Sequence, residues 1–456
     1  MTTEPEVPRR RGSGFVLVVA LLVLVSRLPF LTPGYGADPD AWRLATAARD
    51  IAHTGQYHES RAPGHPVQEW VSSWLWRGGP AAVNGATAVM SAVMVFFFGL
   101  VLVELGGGPW AGLAALAFGF TPVVFIHSVD AMDYVWALAL SMVALWLTLR
   151  RSLWWAGIAL GLAVGCRITA ALLFVPLAVL AWSPADRRIR SLVALGAPAA
   201  ALGLALYLPN FLQRGIGFLH FAEGRFPAWT RIAQDLTIEI WGTLGSLVLA
   251  LAIVVTLIRI AARGEPPRSA IQLTPSMDLA CLATIALYGL AFLRLPADPA
   301  YLLPAIPFVF LLLAGWLSSR AFLLVCLGLV LSPAVLDLGR GENRFVVRVS
   351  EGPVLVDHHD RVADMNESAR ILAAARRLPA RATVVVSSRL PQLELLGAGR
   401  TGARLVYTLR ASAVDSLARA GGPIYFAPGS DADNLRYEGV DLKAFGALPL
   451  PLEGVP

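Results

Sequence analysis

Two stretches of this 456-residue chain place reactive side chains close together in sequence. The first reads Tyr35-Gly-Ala-Asp38-Pro-Asp40-Ala-Trp42-Arg43 and offers two carboxylates one residue apart. The second, Ser60-Arg61-Ala-Pro63-Gly64-His65-Pro66, is a basic turn rich in proline and glycine. A carboxylate beside a fixed cation can take a proton from a nucleophile while the cation stabilises an anionic leaving group. Polar groups of the same kind recur later: His127, Asp130 and Asp133, then Arg167, Arg225, Arg294, Asp298 and Tyr301.

These groups sit in a chain with little other charge. Its residues are 56% hydrophobic and 15% charged, against about 25% charged in soluble domains. Eleven apolar runs are candidates to cross a membrane: 15–31, 81–103, 110–126, 134–149, 153–164, 170–182, 192–208, 240–258, 279–293, 302–317 and 322–336. The net charge of +6 is almost entirely arginine, Lys443 being the single lysine. The arginines cluster at span ends, which points to membrane topology and not to nucleic acid. With Arg9–Arg11 in the cytoplasm, alternation puts Arg150-Arg151, Arg187 to Arg190, Arg259 to Arg268 and Arg320 inside. The loops at 33–80, 127–133, 167, 209–239 and 294–301 then face outside, as does the tail from Asp337. Every candidate site residue falls on that outer face, where charge marks function by default.

The first outer loop reads as two short helices lying along the membrane. Residues 40–54 carry Leu44, Ala47, Ala48 and Ile51 at helical spacing, and 67–76 carries Trp70, Trp74 and Trp76, suited to an interface. The tail alternates apolar strand-like segments (382–386, 404–407, 423–426) with helical ones (367–377, 411–420). That pattern predicts a small α/β domain with a parallel sheet. Asp357-His358-His359-Asp360 reads as a solvated turn, and Arg27, near the end of the first span, as a snorkelling side chain. The three cysteines, Cys166, Cys281 and Cys326, lie apart in or beside apolar runs and have neither disulfide nor zinc spacing. The architecture expected is a polytopic α-helical membrane region over 1–336, followed by an extracytoplasmic α/β domain over 337–456.

The order of the outer-loop motifs resembles the GT-C superfamily of membrane glycosyltransferases, which includes protein O-mannosyltransferases and the aminoarabinose transferase of lipid A. The likeness lies in Asp38-Pro-Asp40-Ala-Trp42, the small-residue helix 45–51, Gly55-Gln-Tyr57, the turn Ser60 to Pro66, the Gly-rich run Gly161 to Thr169, and Arg294-Leu-Pro-Ala-Asp298-Pro-Ala-Tyr301-Leu-Leu-Pro304. It departs at Pro39, where the related transferases carry an acid, and at Arg61, where they often carry lysine.

What the resemblance implies is transfer of a sugar from a polyprenyl-phosphate donor to an acceptor hydroxyl, with inversion. Asp38 or Asp40 would be the base, and Arg61, Arg167, Arg294 and Arg225 the phosphate contacts. His65, His127, Asp130, Asp133 and Tyr301 would line the pocket. No cofactor is expected, although Asp130 and Asp133 offer carboxylates to a divalent cation, as in the oligosaccharyltransferases. The partners implied are the lipid-linked donor, membrane lipid, and an acceptor glycan, lipid or protein. The competing classes are a secondary transporter, which would place polar groups at the midplane of internal repeats, and a non-catalytic subunit of glycan assembly, which has no need of the Asp38–Pro66 loop. The topology has a direct check: alkaline phosphatase fused after residue 340 is active if the tail is outside, and an inactive fusion would displace every site residue.

Overall fold

The computed structural model describes residues 10–182, 188–219, 226–263, 268–340, 345–397, 401–408, 411–428 and 445–451. Six of its helices are long and apolar enough to cross a membrane: Ser13–Phe30, Pro66–Glu104, Arg188–Gly217, Trp229–Ala262, Pro275–Arg294 and Pro299–Trp316. Five shorter apolar helices accompany them, Trp110–Phe120, Tyr134–Leu149, Leu153–Cys166, Ile168–Ala181 and Ser319–Val335, so that each apolar run of the sequence has its helix. This is a multi-pass membrane protein. Its core is built on aromatic rings, with Phe98, Phe118 and Phe310 meeting at centroid separations of 4.7 to 6.1 Å.

Arg27 does not snorkel. It is fully buried, donates to the Gly119 carbonyl and to Ser26 Oγ, and lies 3.7 Å from the centre of the Phe125 ring. A guanidinium inside a helix bundle needs such acceptors and ring faces because no water reaches it.

We number the helices that build the site. Helix α1 (Pro39–Thr54) begins where Asp38 accepts the Asp40 N–H at 2.7 Å, and it ends at Gly55. Pro39 is therefore a first-turn proline, where a missing N–H costs nothing. Leu44, Ala47, Ala48 and Ile51 all face inward, as their spacing predicts. Helix α2 (Pro66–Leu75) turns the opposite way to an ordinary amphipath: Gln68, Glu69, Ser72 and Ser73 are buried while Trp74 is exposed. Helices α3 (Tyr134–Leu149) and α4 (Leu153–Cys166) follow. The chain leaves α4 in an extended residue, Arg167, before the 3-10 turn Ile168–Leu173.

The tail starts with a hairpin that the sequence reading did not anticipate. Strands β1 (Leu336–Arg340) and β2 (Phe345–Val349) pair antiparallel. Helix α5 (Pro353–Arg377) comes next and absorbs Asp357–Asp360, so this tetrad is helical and not a turn. The three expected strands form as β3 (Thr383–Val385), β4 (Arg404–Val406) and β5 (Ile424–Phe426). With β6 (Gly446–Ala447) they make a parallel sheet in the order β4-β3-β5-β6.

Helix α5 rests on the first loop. The guanidinium of Arg361 donates to the Pro33 and Gly34 carbonyls at 3.2 and 3.3 Å, and Phe30 meets His358 edge to face. The loop itself is held by Asn84, which donates to the Leu31 and Gly34 carbonyls, and by the Ala131 N–H on the Tyr35 carbonyl. Gly34 has φ +67°, and a Cβ there would meet the Trp42 ring at 2.7 Å and Met365 Sδ at 3.0 Å. Gly34→Ala therefore combines a left-handed backbone with overpacking, a destabilisation of about 2–4 kcal/mol. Thermal unfolding in detergent would show it as a lower midpoint.

Candidate active site

Four segments from separate interhelical loops meet around one carboxylate. Asp133, at the start of α3, is fully buried. Its Oδ1 accepts from Arg61 Nη2 at 2.5 Å and its Oδ2 from Arg167 Nη1 at 2.6 Å. Arg61 Nε also contacts Asp40 Oδ2 at 3.1 Å, and Asp40 Oδ1 takes Arg43 at 2.6 Å. Arg167 lies against two rings, 4.2 Å from the centre of Tyr134 and 4.9 Å from that of Tyr301. Tyr134 in turn donates to Asp298 Oδ2 at 2.8 Å, which brings the late loop into the same cluster. Burial alone would push the Asp133 carboxyl up; the Arg167 and Arg61 guanidinium groups outweigh it and hold the group well below the ordinary carboxylate range. Asp133 therefore stays ionised and orients both guanidinium groups.

His65 completes the cluster. Helix α4 ends at Cys166 with a carbonyl that no helical N–H reaches, and His65 Nδ1 lies 2.8 Å from it. A carbonyl can only accept, so Nδ1 carries the hydrogen and Nε2 is the ring's acceptor. Burial dominates the surroundings of His65 and lowers its pKa, so the ring is neutral at physiological pH, and Nε2 has no partner among the described residues. With His65 neutral, the two guanidinium groups supply the charge that balances Asp133.

The turn that presents Arg61 and His65 is organised by a residue that the sequence reading missed. Glu69 is completely buried. It accepts from the Tyr57 hydroxyl (2.5 Å), the Ser60 N–H (2.7 Å), the Ser60 hydroxyl (2.6 Å) and the His65 N–H (3.0 Å). Gly64, at φ +96°, lets the turn pass Asn210 and Tyr57 where a Cβ would lie 2.4 and 2.6 Å from their side-chain atoms. The usable signal was an acid inside a tryptophan-rich helix predicted to lie in the interface, where an uncompensated charge is costly. Tyr134 was also missed as a site residue, although it directly follows Asp133.

The site opens into a cavity of about 610 Å³. Asp40, Arg61, His65, Arg167, Arg294 and Tyr301 line it, as the sequence reading grouped them. Its lining also includes apolar side chains: Ile168, Phe226, Pro227, Ala291, Phe292 and Leu295. Other predicted residues fall elsewhere. Asp38 caps α1 and does not line this cavity. His127 and Asp130 pair with each other at 2.9 Å, away from the cavity wall. Burial would lower the His127 pKa, but Asp130 lifts it to about 9. Their expected place in the pocket is therefore corrected: the pair lies on the side of Asp357, whose carboxyl burial raises to about 6. Arg225 lies outside the described residues. Asp133 is engaged by two guanidinium groups and Asp130 by His127, and no group of three or more acid, histidine or cysteine ligands occurs among the described residues.

No protein-family profile matches this sequence, and no curated protein matches it. Solved structures do match. ArnT from Cupriavidus metallidurans in its apo state aligns with a TM-score of 0.53 at 13% identity, over 95% of this chain and 89% of that one. The same protein bound to undecaprenyl phosphate aligns with a TM-score of 0.52 at 14% identity, over 95% and 90%. The chain has the GT-C fold. An oligosaccharyltransferase from Archaeoglobus fulgidus, in complex with Zn and sulfate, aligns more loosely at a TM-score of 0.44 and 13% identity, over 86% and 62%. In the GT-C fold of this chain, the first, second, third and fifth of the expected outer loops form a single cluster, the arrangement that their motif order implied.

Because breaking a buried ion pair leaves an uncompensated charge, Asp133→Asn should cost about 3–5 kcal/mol of stability. The pH dependence follows from the lowered pKa of Asp133: its contribution is present above the unfolded-state pKa and is lost as pH falls through the acid range. Thermal unfolding of both proteins from neutral to acidic pH should show the wild-type midpoint falling toward that of Asp133→Asn.

Proposed function

We propose that this protein moves a glycosyl group from a polyprenyl-phosphate-linked donor to an acceptor hydroxyl, with inversion, on the outer face of the membrane. The observation that carries the reading is one cavity lined both by arginines and by apolar side chains. A polyprenyl phosphate has the matching construction, an anionic head on an apolar tail. Arg61 Nη1 is buried with no hydrogen-bond partner among the described residues and would supply a donor for a phosphate oxygen. The structural relative bound to undecaprenyl phosphate, a compound of this class, supports the same reading. The outward orientation rests on the arginine distribution, and the tail is taken as a separate extracytoplasmic domain on the same ground.

In the reaction, the acceptor oxygen forms a bond to the anomeric carbon as the bond from that carbon to the phosphate oxygen breaks. The electron pair leaves on the phosphate, where Arg61 and Arg167 neutralise it, with Arg294 lining the same cavity. The acceptor proton passes to a carboxylate. Asp38 is the better candidate. Asp40 is held between Arg43 and Arg61, which makes it a group that orients cations. Asp38 gives one oxygen to the Asp40 N–H, and no other hydrogen bond to its carboxylate is seen among the described residues. Burial, opposed by that N–H, leaves its pKa above the ordinary carboxylate value, which makes it a stronger base.

Asp38→Asn should lower the transfer rate about 10²–10⁴-fold and leave undecaprenyl phosphate binding intact. Arg61→Ala and Arg167→Ala should weaken that binding. Because the base must be ionised, activity should fall on the acid side at a pH above that of a free aspartate. Retention of full activity by Asp38→Asn, with loss in Asp40→Asn, would reassign the base. A purified protein that neither binds nor consumes any polyprenyl-phosphate sugar would end the reading.

A further inference from the structure

The chain leaves its last apolar helix without a loop. Helix Ser319–Val335 passes directly into β1 at Leu336. On that helix Leu324, Leu327, Leu331 and Val335 are exposed, and their helical spacing puts them on one stripe. In a multi-pass membrane protein such a stripe lies against lipid tails, which are as apolar as leucine itself.

The β1–β2 hairpin continues this stripe. Every second residue of a strand points to the same face, and residues directly opposite in an antiparallel pair share a face. Leu336 is opposite Val349 and Leu338 is opposite Val347, so these four side chains lie together. Val347 and Val349 are 62% and 75% exposed. The alternate position carries Asp337 opposite Arg348, an ion pair at 3.0 Å in which Asp337 is buried. The hairpin thus turns this charged pair inward and its valines outward, the same inversion as in helix α2.

Three contacts fix the hairpin at the end of the helix bundle. The Ser350 N–H donates to the Val335 carbonyl at 2.7 Å. The Leu338 N–H donates to Oγ1 of Thr243, on helix Ile240–Arg263, at 3.0 Å. Gly352 packs on the backbone of Pro333 so closely that a Cβ would collide with it. In water, an exposed apolar strand face beside a free edge invites pairing with other chains. Against lipid the same face is satisfied. The free edge limits its depth: β2 pairs only with β1, and its outer backbone groups need water or polar headgroups.

We infer that the β1–β2 hairpin lies in the membrane interface, with Leu336, Leu338, Val347 and Val349 on the acyl chains of the bilayer. Lipid is the occupant because this face runs on from a helix stripe that already meets lipid, with no polar residue between Val335 and Leu336. The hairpin then holds the start of α5 at the level where the last apolar helix ends.

The test uses the full chain in phosphatidylcholine vesicles. Val347→Cys and Val349→Cys are each labelled with a nitrobenzoxadiazole fluorophore. Cys166, Cys281 and Cys326 are buried, and wild-type protein carried through the same labelling gives the background. Leu331→Cys, on the helix stripe, is the lipid reference, and Ser416→Cys, exposed on helix Ala411–Ala420, is the aqueous one. Emission from both hairpin labels should shift to shorter wavelength than that of Ser416→Cys. A lipid carrying a nitroxide high on its acyl chain should quench them as it quenches Leu331→Cys, and aqueous iodide should not. Iodide quenching as strong as at Ser416→Cys would place the face in water and overturn the assignment. Protection from both quenchers would overturn it too, because a second protein surface would then cover the hairpin.

Discussion

The buried carboxylate of Asp133 is the interaction on which the rest of the site depends. Desolvating an isolated carboxylate costs several kcal/mol even after the surroundings relax, so a sequence that buries one must bring cations to it. Here two arginines from different loops do so, each through a short charge-assisted bond. Neither guanidinium is consumed by the contact. Each has five N–H donors in a fixed plane, so Asp133 can orient them and leave other donors turned toward the cavity. Anchored arginines cost little reorganisation when a phosphate departs, which is where electrostatic catalysis gains most.

A second buried acid supports the first. Glu69 does not reach the cavity, yet four donors converge on it, and together they shape the turn from which Arg61 and His65 project. Helix α2 is built around this requirement, with polar residues inward and tryptophan outward. The inversion is intelligible once the outer surface is apolar lipid and the inner surface is a polar site. The same logic explains His65, whose Nδ1–H meets the carbonyl exposed where α4 stops at Arg167. The helix ends there so that Arg167 can turn toward Asp133.

The tail is joined to this machinery directly. Arg361 binds the backbone of the first loop, and Asp357 lies near the His127–Asp130 pair. Helix α5 thus contacts both loops that frame Asp38. The hairpin of β1 and β2 carries the chain from the last apolar helix to α5.

Much of this was legible in the residues alone. Eleven apolar runs could only be helices, because lipid leaves backbone groups no other partner. Arginine placement predicts a side for each loop, and the cavity-lining set Asp40, Arg61, His65, Arg167, Arg294 and Tyr301 was readable because charge near lipid has to be justified by function. Three strands of the tail sheet were visible as short apolar segments between helical ones. The relation of one side chain to another was not readable. Asp133 resembled a cation ligand in sequence, and only the convergence of two arginines from 72 and 34 residues away shows it as their anchor. Arg27 resembled an interfacial residue until the Gly119 carbonyl and the Phe125 ring closed around it. Pro39 seemed to interrupt an acidic motif, and the fold makes it the first residue of α1. Composition and periodicity determined which segments lie in the membrane and which residues had reason to be polar. Tertiary structure decided which of those residues share a charge, because pairing depends on distances between loops far apart in the chain.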